Sequence, residues 1–300
     1  MMNGCGRVSI MVFERTRVMR IGIVGLGLIG GSLAKAIKKN TAHSCYALDI
    51  DRAALAGAMA QEAIDGEITA QELSSCDVVI VCLHPRQTIS FITENRKNFR
   101  KGGIVADSCG VKSAIVEAVE GVLAEEGVEF LGCHPMAGRE FSGFAYAVDN
   151  LFENASFIMT PTQRTPEDVV EKIAALAREI GFAKTVRATV EEHDRVIAFT
   201  SQLAHVVSSA YVKSPSLMKQ AGFSAGSFKD LTRVAKLNED MWTDLFLMNA
   251  GPLTDELDCI IARLTEYRDA ISSGETEVLH DLLKEGRELK ELSNNASANL

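Results

Sequence analysis

The fold is decided by residues 19–40, which read MRIGIVGLGLIGGSLAKAIKKN. Residues 21–24 are apolar and predict a buried strand, because strands covered on both faces appear as short continuous apolar runs. The turn that follows, GLGLIG at residues 25–30, has glycine at its first, third and sixth positions. Apolar residues then recur at helical spacing as far as Ile37. The stretch therefore predicts a strand, a glycine turn and a helix in direct succession.

Each glycine of this turn has its own task in a unit that binds a dinucleotide. Gly25 permits the tight turn, Gly27 lets the backbone approach a pyrophosphate, and Gly30 lets the helix pack closely on the strand. The first backbone N–H groups of the helix, at Leu28 and Ile29, are available to phosphate oxygens. We therefore predict that these five residues bind the cofactor.

The choice of cofactor depends on the acid that ends the second strand. Residues 44–48 read SCYAL and end in Asp49, nineteen residues past Gly30. A carboxylate at this place accepts hydrogen bonds from the adenosine ribose and repels a 2′-phosphate, which favours NAD over NADP. Asp51 is an alternative to Asp49, and the nearby Arg52 weakens the preference for NAD.

Strands and helices continue to alternate as far as Arg187. We predict strands at 77–83, 103–107, 128–133, 156–160 and 182–186, and helices at 86–99, 111–122 and 166–180. The fold class is thus α/β, with a doubly wound Rossmann-type dinucleotide-binding domain at 20–187. An all-helical substrate-binding and dimerisation domain follows at 188–292, where T-x-x-E at 189–192 has the form of a capping box. Residues 1–19 are expected to be a disordered extension, and residues 293–300 a frayed tail.

Composition excludes several classes of protein. The formal charge is −9, from 31 Lys and Arg against 40 Asp and Glu, which argues against nucleic-acid binding and against a basic membrane-binding surface. The seven cysteines are scattered and form no CxxC pair, so we expect a reduced, cytoplasmic chain. The six histidines show no HxxxH or HExxH spacing, so we expect no metal site. No apolar run is long enough to span a membrane.

The stretch HPMAGREFSG, residues 134–143, places an imidazole beside the predicted cofactor site. Pro135 is expected to end the preceding strand, so that His134 lies at its carboxyl end. Ligands of open α/β sheets bind beyond the carboxyl ends of the strands, and imidazole titrates near neutral pH. We therefore predict that His134 is a general base and that Ser108, at the end of a neighbouring strand, contacts the cofactor. His84 also follows a strand, but we expect it to be structural.

The helical domain offers a second group of polar residues. Ser201, His205 and Ser208 lie about one turn apart on one helix face, which is either solvated or directed at a ligand. Arg233 follows a loop rich in glycine and serine, and arginine is the usual choice for bidentate binding of a carboxylate. Trp242, the single tryptophan, is expected in the core.

Five stretches of the chain resemble the prephenate/arogenate dehydrogenases, the oxidoreductases of tyrosine biosynthesis. They read GLGLIGGSLAKAIKK, DSCGVKSAI, GCHPMAGREFSGF, EEHDRVIAFTSQLAHVVSSA and FKDLTRVAKLNEDMWTDLFLMN, in this order over roughly residues 20–250. The glycine turn is common to many families. HPMAG-x-E-x-SG and FKD-x-TR-x-A together are far more specific.

The resemblance implies an enzyme that forms a homodimer through its helical domain. Its activity would be the NAD-dependent oxidative decarboxylation of prephenate to 4-hydroxyphenylpyruvate. The family's catalytic histidine falls on His134 and its active-site glutamate on Glu140. A substrate-binding histidine falls on His205 and a carboxylate-binding arginine on Arg233, and we group Ser201 with these substrate-binding residues. We expect the stand-alone form, without a regulatory or chorismate-mutase domain.

Two departures from the family pattern leave alternatives open. Gly110 stands where the family often has a serine that bonds the catalytic histidine, so Ser108, Cys109 or a water would have to replace that partner. Gln202 stands where some members have a second histidine, which could shift the preference between prephenate and arogenate. The alternatives are an arogenate or dual-substrate cyclohexadienyl dehydrogenase, a β-hydroxyacid dehydrogenase relative, and a non-catalytic NAD-sensing module.

Overall fold

The computed structural model describes residues 18–139 and 141–298. These residues form two compact units. The first comprises the described residues up to Cys109 together with Ile115–Thr189, and the second comprises Gly110–Ala114 and the residues from Val190 onward. Residues 110–114 were expected in the nucleotide domain, but their contacts group them with the helical unit.

The first unit contains an eight-stranded sheet in the order β3-β2-β1-β4-β5-β6-β7-β8. The strands are β1 (Arg20–Val24), β2 (Ser44–Leu48), β3 (Gly66–Glu67), β4 (Val78–Val81), β5 (Ile104–Asp107), β6 (Glu129–Pro135), β7 (Ser156–Thr160) and β8 (Lys184–Arg187). The connecting helices are α1 (Leu28–Asn40), α2 (Arg52–Ala60), α3 (Pro85–Asn95), α4 (Ser113–Glu125) and α5 (Glu167–Ile180). The predicted doubly wound α/β fold is confirmed.

The first six strands run parallel, and this explains their composition. Every residue of β4 and β5 is buried, because helices cover both faces of a parallel sheet. β7 then pairs antiparallel with β6, and β8 parallel with β7. The sequence analysis did not predict this reversal, the helix α2 or the two-residue strand β3.

Strand β6 corrects the expected role of Pro135. The strand includes both His134 and Pro135, which pair with Ile158 and Phe157 of β7. The N–H of Met136 donates to β7, whereas the N–H of Cys133 donates away from β7, to the Asp107 carboxylate. The nitrogen of Pro135 therefore faces the same side as that of Cys133, where β5 has already ended, so the strand loses no ladder bond at the proline.

Both predicted ends of the fold also need correction. Residues 1–17 of the expected extension lie outside the described residues, but Met19 belongs to the fold. It is buried, its N–H donates to His43 Nδ1, and its carbonyl accepts from Ser44. At the other end, the last helix continues to Ala298, so residues 293–298 are helical rather than frayed. Helical side-chain spacing does not reveal this continuation, because residues 293–298 are mostly small and polar.

The described part of the second unit consists of helices and turns. The helices are α6 (Val190–Ile197), α7 (Ala204–Tyr211), α8 (Gly226–Thr232), α9 (Glu239–Met248), α10 (Ala250–Ser273) and α11 (Thr276–Ala298). A π-helical segment at 198–203 joins α6 to α7. A small core forms around Ala198, Leu203 and Leu253. Within the described ranges, no helix is long and apolar enough to cross a lipid bilayer.

Candidate active site

The three glycines of the turn occupy three different environments. Gly25 has φ +91°, and a Cβ there would lie 2.7 Å from the carbonyl oxygen of Cys82. A Cβ on Gly30 would lie 1.9 Å from the carbonyl oxygen of Gly25, so helix and turn touch at this point. A Cβ on Gly27 would have no neighbour within 4 Å. The first and third glycines are thus required by the fold, whereas the second leaves open space in front of the backbone, as a bound pyrophosphate requires.

The amino end of α1 is suited to bind an anion. Gly27 is its N-cap residue, and no side chain caps the helix there. The N–H groups of Leu28, Ile29 and Gly30 belong to the first turn, where a helix provides no internal acceptor. The free N–H groups and the helix dipole favour a phosphate at this end.

Asp49 and Asp51 have separate tasks. Asp49 accepts hydrogen bonds from the N–H groups of Leu26 and Asp51, which ties the end of β2 to the glycine turn. Asp51 caps α2 through the N–H groups of Ala53 and Ala54. Asp49 is therefore the acid that lies beside the turn. Asp51, the alternative from the sequence, has a structural reason to be there.

The end of β5 is held by a buried carboxylate. Asp107 is fully buried and accepts hydrogen bonds from the N–H groups of Cys109 and Cys133, which precedes His134. Ser108 is half-buried, and its hydroxyl faces the carbonyl of Val81 at 3.5 Å. The Cys109 thiol is buried, and its sulfur lies 3.4 Å from the Thr88 hydroxyl oxygen. Asp107 thus holds the loop after β5 against β6.

His134 is half-buried and is the second-last residue of β6, next to the loop that begins at Met136. Glu140, expected from the resemblance to be the active-site glutamate, lies outside the described residues. Arg139, just before it, is exposed. His84 is the N-cap residue of α3, and its side chain is exposed and does not cap the helix.

One anchor of this loop was missed from the sequence. Phe144 is buried against α1, where a Cβ on Gly31 would lie 2.7 Å from its ring. The ammonium of Lys35 lies 4.8 Å from the centre of the same ring and 2.6 Å from the carbonyl oxygen of Ala147. The hydroxyl of Ser32 accepts a hydrogen bond from the N–H of Val148. The chain that leaves His134 is therefore fastened to the helix of the glycine turn. The second glycine of the GG pair was the available signal.

In the second unit, His205 has a fixed tautomer. Its Nδ1 lies 2.8 Å from the carbonyl oxygen of Ser201, which can only accept, so Nδ1 carries the proton. Burial lowers the pKa of His205, and the charge of Arg233 lowers it further, while the bond to Ser201 opposes both. A neutral His205 therefore presents the lone pair of Nε2 as a hydrogen-bond acceptor.

Trp242 lies beside this histidine rather than in the core. Its ring stacks on that of His205 with centroids 3.9 Å apart, and it remains half-buried. Ser208 is fully buried, and its hydroxyl donates to the carbonyl of Leu231, two residues before Arg233. The polar face predicted on this helix is therefore not a solvated one. The structure brings Ser201, His205 and Arg233 together, with Trp242 as an additional member.

Gln202 belongs to a buried network that the sequence did not reveal. Its amide donates to the carbonyl of Leu245 and accepts from Asn249, which also donates to the carbonyl of Asp194. Burial would raise the pKa of Asp194, but bonds from His193, Ser113 and Lys112 outweigh this and hold it below its ordinary value. Gln202 is 1% exposed, so its side chain is not directed at a ligand.

Both parts of the chain match known proteins. The prephenate dehydrogenase nucleotide-binding domain matches residues 33–186, and the prephenate dehydrogenase dimerization domain matches residues 189–285. Prephenate dehydrogenase of Bacillus subtilis is 31% identical over 90% of this chain and 74% of its own length. Cyclohexadienyl dehydrogenase of Zymomonas mobilis is 31% identical over 90% of this chain and 94% of its own length. The crystal structure of prephenate dehydrogenase from A. aeolicus in complex with hydroxyphenyl propionate and NAD+ has a TM-score of 0.83 at 28% identity, over 93% of this chain and 99% of that one.

Proposed function

The chain belongs to the prephenate dehydrogenase family, and we propose that His134 is the residue that accepts the proton of the substrate's ring hydroxyl. The protein is an NAD-dependent prephenate dehydrogenase, which converts prephenate to 4-hydroxyphenylpyruvate. The observation that carries this function is the match of both domains of the family, in order, over residues 33–285. The family match favours this function over a β-hydroxyacid dehydrogenase relative and over a non-catalytic NAD-sensing module.

The reaction makes limited demands on the side chains. NAD, held at the glycine turn, would supply the hydride acceptor for oxidation at the carbinol carbon of the ring. Carbon dioxide leaves from the opposite ring carbon, and its bonding electrons make the ring aromatic. His134 takes the hydroxyl proton as the carbon–oxygen bond gains double-bond character, and it returns this proton to the phenolate oxygen. Since aromatisation makes the step downhill, the enzyme mainly has to position the reactants.

The glycine turn and Asp49 would hold the cofactor. The pyrophosphate would lie at Gly27 and the N–H groups of Leu28, Ile29 and Gly30, where the backbone is open. Asp49 would accept hydrogen bonds from the adenosine ribose, and Ser108 would contact the cofactor beyond β5. The open space at Gly27 supports this assignment.

The helical unit would bind the substrate's carboxylates. Arg233 offers a planar pair of donors for one carboxylate, and its charge adds to the larger effect of burial in lowering the pKa of His205. His205 would therefore accept a hydrogen bond at Nε2. Ser201, whose carbonyl orients the imidazole, completes this group. Glu140 stays a candidate by resemblance alone.

The activity is tested by NADH absorbance with purified chain and prephenate. Arogenate and NADP are run in parallel, because the relative from Zymomonas mobilis is a cyclohexadienyl dehydrogenase and supports a dual-substrate enzyme as the second candidate. We expect prephenate and NAD to be the better pair. If only arogenate is turned over, arogenate is the substrate instead of prephenate. If neither is turned over, the proposed chemistry is contradicted.

We further propose a homodimer formed through the helical unit. The family's dimerization domain matches residues 189–285, and α9, α10 and α11 carry exposed apolar side chains, among them Leu247, Ile261, Leu264, Ile271 and Leu283. A second copy of this chain would bury these side chains. Sedimentation equilibrium should give twice the 32.5 kDa of one chain. Ile261→Asp with Leu264→Asp should give a single chain, and a wild-type protein that is monomeric at micromolar concentration would contradict the proposal.

A further inference from the structure

Arg52 lies close to the acid that selects the cofactor. It is the first residue of α2, three positions after Asp49, and its side chain is 75% exposed. Its guanidinium is held by Glu67, with Nη1 at 2.7 Å from Oε2 and Nη2 at 3.4 Å from Oε1. Both branches of the arginine fork are therefore directed at one carboxylate.

The position of Glu67 follows from the sheet. Glu67 lies in the edge strand β3, where it pairs with Ala47 of β2, two residues before Asp49. Asp49 accepts from two backbone N–H groups, and Asp51 accepts from two others. These carboxylates are engaged in fixing the turn and capping α2, so the carboxylate that binds Arg52 comes from the neighbouring strand.

An arginine at this place has a known chemical use. In dinucleotide-binding folds, an arginine near the ribose binds the 2′-phosphate of NADP, whereas an acid in its place selects NAD. The chain thus contains a side chain suited to NADP three residues after the acid that favours NAD. Without a competing carboxylate, Arg52 would attract the 2′-phosphate that Asp49 repels.

We propose that Glu67 is a specificity-determining residue for the cofactor. By occupying the guanidinium of Arg52, it withholds a ligand from a 2′-phosphate, and its own negative charge adds to the repulsion by Asp49. This inference rests on NAD as the cofactor and on Asp49 as the ribose acid of the proposed function. Exposed ion pairs contribute little to stability, so Glu67→Gln should fold normally.

The test compares NAD with NADP in a series of variants. Asp49→Ser should erode the preference for NAD and serves as the reference. Adding Glu67→Gln should raise kcat/KM for NADP by about tenfold over Asp49→Ser alone, the lower range for a hydrogen bond to a charged group. Adding Arg52→Ala as a third change should abolish this gain. Fluorescence titration of NADH and NADPH without prephenate should show the same order in Kd.

The matched control is a second exposed pair in the same unit. Arg187 binds Glu167 through two contacts of 2.7 Å, far along the chain from the cofactor residues. Glu167→Gln should leave the ratio of NAD to NADP unchanged. A double variant no better with NADP than Asp49→Ser, or a gain that survives Arg52→Ala, would overturn the proposal. The fluorescence titrations separate this outcome from a failure of the enzyme to use prephenate, because they require no turnover.

Discussion

The two units of the chain build their candidate sites from different groups. In the first unit the proposed cofactor site is formed largely by backbone, with open space at Gly27 and the N–H groups of the first turn of α1. In the second unit the polar cluster is formed by side chains from separate helices, His205 on α7 and Trp242 on α9, together with Arg233 just after α8. Single substitutions should therefore act mainly through space and strain in the first unit, and through lost charge or hydrogen bonds in the second.

The largest effect should come from the exception to this rule, a side chain of the first unit. His134→Asn should keep the fold and the affinity for NADH but lose on the order of 10²–10⁴ in turnover, because asparagine accepts no proton. Steady-state kinetics with prephenate and fluorescence titration of NADH measure the two effects separately. Normal turnover in the variant would show that His134 is not the base, and loss of the fold would show that its role is structural.

Arg233 tests the charge-based character of the second unit. Arg233→Ala should raise the KM for prephenate about 10- to 150-fold, the value of a hydrogen bond to a charged group, and leave the KM for NAD nearly unchanged. Arg233→Lys should recover only part, because an ammonium keeps the charge and loses the planar fork. A KM for prephenate within about twofold of wild type in Arg233→Ala would place the carboxylate clamp elsewhere.

Gly31 tests the space-based character of the first unit. A Cβ there would lie 2.7 Å from the ring of Phe144 and 2.9 Å from Cβ of Ala147. Gly31→Ala should therefore cost about 1–3 kcal/mol of stability, as overpacking does, and shift the loop after His134. We expect kcat/KM for prephenate to fall about tenfold.

The matched control for Gly31 is Gly121, within α4, where an added Cβ meets nothing within 4 Å. Gly121→Ala should gain about 0.5–1 kcal/mol, since alanine is the better helix residue. Thermal unfolding measures both variants. Equal kinetics of Gly31→Ala and wild type would show that the anchor supports the fold without positioning the loop.

The contrast between the units also explains what the sequence could predict. The glycine turn, Asp49 and the alternating strands depend on local backbone requirements, so their patterns indicate them directly. Pro135 could not be placed, because its effect on β6 depends on where the neighbouring β5 ends. Trp242 was expected in the core but stacks on His205, whereas Gln202 is buried in a hydrogen-bond network. Neither position could be predicted, because only tertiary packing decides which side chain faces the cluster.

The pairing of His205 with Arg233 gives a smaller, electrostatic test. The charge of Arg233 lowers the pKa of His205, in addition to the larger effect of burial. Arg233→Ala should therefore raise the pKa of His205 toward its ordinary value, so that the imidazole is protonated at a higher pH than in wild type. An NMR titration of the histidine ring protons measures this shift. His280 on α11 is exposed and serves as the internal reference that should not move. An unchanged pKa for His205 would show that the charge of Arg233 does not act on this imidazole.

The smallest effect should follow from Cys109→Ala and Ser108→Ala, which address the family serine that Gly110 replaces. The Cys109 thiol is buried beside the Thr88 hydroxyl at 3.4 Å and the Leu83 carbonyl at 3.6 Å, and the Ser108 hydroxyl faces Val81 at 3.5 Å. Both side chains have contacts with the ends of neighbouring strands, and we propose that neither is required to hold His134. We expect each variant to keep turnover within about threefold, because these contacts are long and the loss should be about 0.5 kcal/mol, the lower end for a hydrogen bond. Cys109→Ser is the matched control, since its hydroxyl replaces the hydrogen-bonding group that alanine removes. A large loss of turnover in one alanine variant, with the KM for prephenate unchanged, would instead identify the group that orients His134.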